Sequence, residues 1–152
     1  RSTLFPYTTL FRSNLSLDVL LDHSDEVNFQ AIVSELEPDM ILNNFNRIQE
    51  KGAILSLEEV VNRSSGSAIL KNLDMIKNAG ISVDMDRIVN NLHPYYVFEY
   101  IEKLLDNGAN PRLVLEHFPE TINFLTPPDP QMMESKAAAL RRAREAANSV
   151  AQ

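Results

Sequence analysis

Three glycines, Gly52, Gly80 and Gly108, stand 28 residues apart twice over, and the residues around them recur at the same step. A chain copied in tandem at so short a period is confined to stacked architectures. Each copy is one supersecondary unit too small to bury its own apolar surface, so neighbours must complete a shared core. The period therefore constrains the fold strongly and the biochemistry weakly, because a repeat scaffold chooses its partner through surface residues that differ between copies.

Laid over one another at that step, Ile32, Val60 and Ile88 superpose, as do Val33, Val61 and Val89; Ile41, Ile69 and Val97; Phe45, Leu73 and Ile101; and Ile48, Ile76 and Leu104. All are apolar, and the intervals of three, four and eight residues within a copy lie on one face of an α-helix. Each copy is expected to hold a first helix of about eight residues and a second of about 13. Asn28, Ser56 and Asp84 stand where the first helix begins, with short side chains suited to capping the open N–H groups of a first turn, and Ser56 with Glu59 has capping-box spacing. Pro38, Gly66 and Pro94 mark a tight corner, and the second helix runs on to Gly52, Gly80 or Gly108, which is read as a left-handed cap backed by Ala53, Ile81 or Ala109.

The expected fold is all-α: an α-solenoid of stacked helix-turn-helix copies with a separate C-terminal helix. The array comprises a partial copy at 14–24, copies at about 25–52, 53–80 and 81–108, and a degenerate terminal copy at 109–125, where Val114, Leu115 and Phe118 echo Ile88, Val89 and Leu92. Residues 126–131 (TPPDPQ) form a Pro-rich linker, and residues 132–152 an alanine-rich helix. That helix carries Met133, Ala137, Leu140, Ala147 and Val150 as a thin apolar stripe. It could dock on the acidic body or hold a separate partner, but because alanine buries little area a solvated tail is the slightly favoured reading.

Leu17, Asp18, Val19 and Leu20 match Leu73, Asp74, Met75 and Ile76 at two full periods, so a second helix stands there without its first. In place of that first helix, Thr3 to Ser13 (TLFPYTTLFRS) resembles the translated read of a common sequencing adapter, and Arg1-Ser2 repeats its ending. Residues 1–13 are read as a non-native segment, and the array as a fragment of a longer one. The cut would leave Leu17, Leu20 and Leu21 as an apolar face without its natural neighbour, open to self-association.

The third copy closes on Ile101-Glu102-Lys103-Leu104-Leu105-Asp106-Asn107-Gly108-Ala109-Asn110-Pro111, which resembles the second helix and following turn of an ankyrin repeat. The likeness covers this stretch and, more weakly, its counterparts before Ala53 and Ile81. The 28-residue step departs from the ankyrin period of about 33, and the Thr-Pro-Leu-His first helix is missing. The resemblance implies a protein-binding stack and does not transfer the ankyrin finger-and-groove site.

The formal charge is −7. Residues 1–13 contribute +2 and residues 126–152 contribute +1, which leaves −10 on residues 14–125. Such a surface repels phosphate and favours a basic or neutral protein partner over nucleic acid or an anionic membrane. The chain has no cysteine, no glycine-rich phosphate loop and no nucleophile elbow. Its histidines, His23, His93 and His117, are not spaced as metal ligands. Asp84 and Asp86 lack the remaining oxygens of a calcium loop. The sequence therefore points to a non-enzymatic protein-interaction scaffold without catalytic residues, metal or cofactor, cytoplasmic by default; a nucleic-acid-binding helical repeat and a hydrolase are the alternatives. The candidate partner-binding residues are His93, Tyr95, Tyr96 and Tyr100, which gather at the third copy's corner where the other copies carry Asp39, Met40 and Asn44, or Ser67, Ala68 and Asn72.

Overall fold

The structure, a computed structural model, describes residues 14–26 and 28–150, so the adapter-like segment lies outside the described residues. Every regular element among them is helical. The order is α1 (Asn14–Asp22), a 3-10 turn (Ser24–Glu26), α2 (Phe29–Ser34), α3 (Pro38–Asn43), α4 (Phe45–Glu50), α5 (Leu57–Arg63), α6 (Gly66–Lys71) and α7 (Leu73–Asn78). It continues with α8 (Met85–Asn91), α9 (Pro94–Glu99), α10 (Ile101–Asp106), α11 (Pro111–His117) and α12 (Pro130–Val150). No helix among the described residues is long and apolar enough to cross a membrane.

Local chemistry sets the ends of these helices. Asn28 Oδ1 accepts from Ala31 N at 3.3 Å, Ser56 Oγ from Glu59 N at 3.4 Å, and Asp84 Oδ1 from Asp86 N and Arg87 N at 3.1 and 3.2 Å. Each satisfies donors that the first helical turn leaves open. At the other end Gly52, Gly80 and Gly108 have φ of +98°, +80° and +89°. Behind Gly80 the N–H groups of residues 80 and 81 reach back to Lys77 O and Ile76 O at 2.9 and 3.2 Å; behind Gly108 those of 108 and 109 reach Leu105 O and Leu104 O at 3.2 and 3.0 Å. This double return closes the orphan carbonyls of a helix terminus and requires a left-handed residue at the turn, where only glycine is unstrained.

The second helix of each copy is not the continuous 13-residue helix that its periodicity suggests. It bends at Asn44, Asn72 and Tyr100, whose φ of −125°, −109° and −107° with ψ near 20° fall outside the helical range, and resumes one residue later. Asparagine offers the backbone a local alternative: Asn44 Nδ2 donates to Met40 O at 2.9 Å and Asn72 Nδ2 to Ala68 O at 2.8 Å. Tyr100 bends at the same register without an amide, so the bend belongs to the packing and the asparagines accommodate it. The first helices are also shorter than expected, at six or seven residues.

The chain divides into two compact units at Ile81/Ser82. In the first, α3 packs on α4, α5 and α6, and α6 on α7. Side chains tie these layers: Ser65 donates its backbone N–H and its hydroxyl to the two Asp39 oxygens at 2.7 and 2.6 Å, Asn72 Nδ2 donates to Asn43 Oδ1 at 2.7 Å, and Arg47 pairs with Asp18. In the second unit, α8 and α9 pack on α11, α10 packs on α9 and α11, and α12 covers α10 and α11. Gln30 clamps residue 54 in the first unit, accepting from Ile54 N at 2.7 Å and donating to Ile54 O at 3.0 Å. In the second unit Asp86 Oδ1 accepts from Asn110 N at 2.7 Å. The two clamps occupy registers two periods apart.

All fifteen superposed apolar residues are buried. A further column, Leu42, Leu70 and Phe98, is buried with them. Leu17, Leu20 and Leu21 are also buried, at 0, 1 and 3% exposure, so the open apolar face expected there does not exist. The C-terminal helix is a second correction: it starts at Pro130 and is docked, with Ala139, Ala143 and Ala147 buried at a spacing of four. Small side chains let α12 approach closely, and ion pairs hold the rim. Lys136 Nζ donates to Glu102 Oε2 at 2.7 Å, Ser135 Oγ to Glu102 Oε1 at 2.9 Å, and Arg142 to Asp106 Oδ1 at 2.8 Å.

Candidate interaction surface

His93, Pro94, Tyr95 and Tyr96 follow one another into a helix of six residues, too short to turn all its rings inward. Pro94 takes the first position, where a missing N–H costs nothing, and His93 Nδ1 caps the turn by accepting from Tyr95 N at 3.2 Å. His93 therefore has a structural task. Val97 and Phe98 supply the buried face. Tyr95 and Tyr96 stay 42% and 36% exposed.

The rings form one connected array. Tyr96 meets His93 edge-on at 6.4 Å and Tyr95 edge-on at 5.6 Å, and it stacks on Tyr100 at 6.3 Å, with Lys103 Nζ 6.0 Å over the Tyr100 ring. Burial, and then the negative charge of Glu99, push the Tyr100 hydroxyl above its ordinary pKa, so it remains a neutral donor at physiological pH. From Tyr95 the array continues inward to Phe98 at 6.3 Å, and from Phe98 edge-on to Phe118 and Phe124 at 6.1 and 5.9 Å. The four sequence candidates are thus brought together on α9 and at the α9–α10 bend.

Sequence reasoning missed what lies at the inner end of that array. An open pocket of about 340 Å³ is lined by Phe98, Phe118, Ile122, Phe124, Met133 and Leu140, with Pro119 and Ala137 beside them. Its polar residues are Lys136 and Glu120. The Lys136 ammonium sits 5.7 Å over the Phe98 ring and is bound by the Glu102 carboxylate and the Glu99 carbonyl. Burial opposes the charged form of Glu102, but the hydrogen bonds from Lys136, the backbone and Ser135 outweigh it and hold the carboxyl below its usual range. One signal was present in the sequence: the column Leu42, Leu70 and Phe98 changes from leucine to phenylalanine in the copy that carries the tyrosines.

The remaining polar candidates have structural roles. Asp84 caps α8 and Asp86 holds the Asn110 backbone, while His117 Nδ1 bonds the Leu113 carbonyl at 3.0 Å. Among the described residues no group of three or more acidic, histidine or cysteine side chains is placed to hold a metal ion. Comparison with known proteins finds no family model, no curated relative and no solved structure that matches the chain.

Proposed function

We propose that this chain is a non-catalytic protein-binding module, an α-solenoid of stacked copies that engages its partner through the aromatic surface of α9. The observation that carries the reading is the exposed Tyr95–Tyr96 pair, braced from beneath by Phe98 and from the side by Tyr100. Rigid, half-exposed tyrosines lose little conformational freedom on binding and offer both apolar area and a hydroxyl, the combination found at interface hot spots. The solenoid reading is supported by the recurring caps, bends and clamps, and by the packing of α3 on α5 and of α9 on α11, where one copy's second helix meets the next copy's first. The −10 charge on residues 14–125 favours a basic or neutral partner surface.

The test begins with a photo-crosslinking residue at position 95, which captures the partner, followed by affinity measurements on the purified pair. Tyr95→Ala and Tyr96→Ala should each weaken binding by more than about fivefold with the melting temperature unchanged. A partner that binds both variants as tightly as the parent protein refutes the assignment.

A further inference from the structure

We infer that the pocket lined by Phe98, Phe118, Phe124 and Met133 is a socket for an apolar anchor carrying a positive charge at its outer end, supplied by the protein partner as an aliphatic or aromatic side chain next to a lysine or arginine. The inference rests on the protein-binding reading and adds the chemistry of the partner segment.

Three observations lead there. The pocket, at about 340 Å³, lies at the small end of the range for sites that enclose a ligand. Its walls are overwhelmingly apolar, which selects an apolar group. Of its two polar residues, Lys136 is already neutralised by Glu102 at 2.7 Å and is further held by the Glu99 carbonyl. Glu120, exposed on the irregular segment after α11, makes no ion pair or side-chain hydrogen bond among the described residues. The unmatched charge in the pocket lining is therefore negative, and the complementary occupant is cationic. Continuity fixes the source: Phe98 touches Tyr95 on one side and lines the pocket on the other. A chain lying across Tyr95 and Tyr96 thus has the pocket on the far side of the Phe98 ring.

The test uses three probes of one shape on the full chain: 4-phenylbutylammonium, 4-phenylbutan-1-ol and 4-phenylbutyrate, followed by the NMR shift of the Met133 methyl group. A ligand of this size should bind with Kd of about 4 mM. The cation should lead the alcohol by about two- to fivefold, as expected for one solvent-exposed ion pair, with the carboxylate weakest. Glu120→Gln, an exposed change that spares the fold, should bring cation and alcohol level, and Ala137→Trp, at another lining position, should abolish all three by filling the space while leaving the Met133 reporter in place. The cation should also displace the crosslink-identified partner, whereas the carboxylate should not.

No saturable shift with any probe, the carboxylate ranking first, or a ranking unchanged by Glu120→Gln would overturn the inference. Simultaneous binding of cation and partner would overturn the assignment of the occupant. Failure of the protein-binding reading looks different: the probe ranking would hold while the captured partner ignored Tyr95 and Tyr96.

Discussion

Replacing Ala143 by leucine tests whether the alanine stripe of α12 is an interface. Ala143 is completely buried, is flanked at four-residue spacing by Ala139 and Ala147, and faces the helices α10 and α11. It is 0% exposed and does not line the pocket, so three added carbon atoms have to be accommodated within the packed contact itself. Overpacking of a filled contact costs about 1–3 kcal/mol, and at about 2–4 °C per kcal/mol for a chain of this size the melting temperature should fall by about 2–12 °C. The loss should be local first. Hydrogen exchange should show the α12 amides deprotected while those of α8 to α11 keep their protection, because the ion pairs Lys136–Glu102 and Arg142–Asp106 cannot form across a displaced helix. Arg144→Leu, one position on and exposed, is the control and should change stability by less than about 0.5 kcal/mol. If Ala143→Leu melts like the parent protein and α12 stays protected, the close approach is not what holds this helix, and the argument fails.

Leu73→Ala, at a side chain 1% exposed, should cost about 2–5 kcal/mol in chemical denaturation, as core cavities do. Gly80→Ala should cost about 1–2 kcal/mol from backbone strain alone, since φ is +80° and an added Cβ would meet no atom within 4 Å; a neutral result would contradict the left-handed cap. Because the folded-state pKa of Glu102 is depressed below its ordinary 4.5, its contribution is fully present above that value and fades as pH falls through the folded pKa. Docking of α12 should therefore weaken on acidification below pH 4.5, as read by hydrogen exchange, and Glu102→Gln should flatten that part of the profile.

Helix positions, caps and core were legible because they follow from short-range rules: Asn28, Ser56 and Asp84 sit where capping needs them, and the 28-residue register places every superposed apolar residue inside. The bends at Asn44, Asn72 and Tyr100 were not, because an asparagine or tyrosine within an otherwise helical period carries no marker of a changed φ. Docking of α12 was misjudged for an instructive reason. Judged by area, an alanine stripe buries little; judged by distance, it allows backbone approach and lets Lys136 and Arg142 reach Glu102 and Asp106. The tyrosine surface was visible as a departure from periodicity. The pocket was invisible because Phe98, Phe118, Phe124 and Met133 come from α9, α11's trailing segment and α12, and no sequence spacing relates them.

The clamps made by Gln30 and Asp86 constrain how such a chain can drift. Each captures a backbone N–H, at Ile54 and at Asn110, and that group is present whatever side chain follows, proline excepted. As far as this bond is concerned, the position that supplies the N–H is released from chemical identity, as at Ile54, whereas Asn110 has a second task as the cap of α11, its Oδ1 accepting from Arg112 N at 3.0 Å. The accepting position is bound to side chains that can accept, and the intervening register carries Glu58, another acceptor. Mutational tolerance across a contact of this kind is lopsided: substitutions should accumulate freely on one side of the layer boundary and be purged on the other. A change of one residue in the length between the two sides should do more harm than almost any change of letter at position 54.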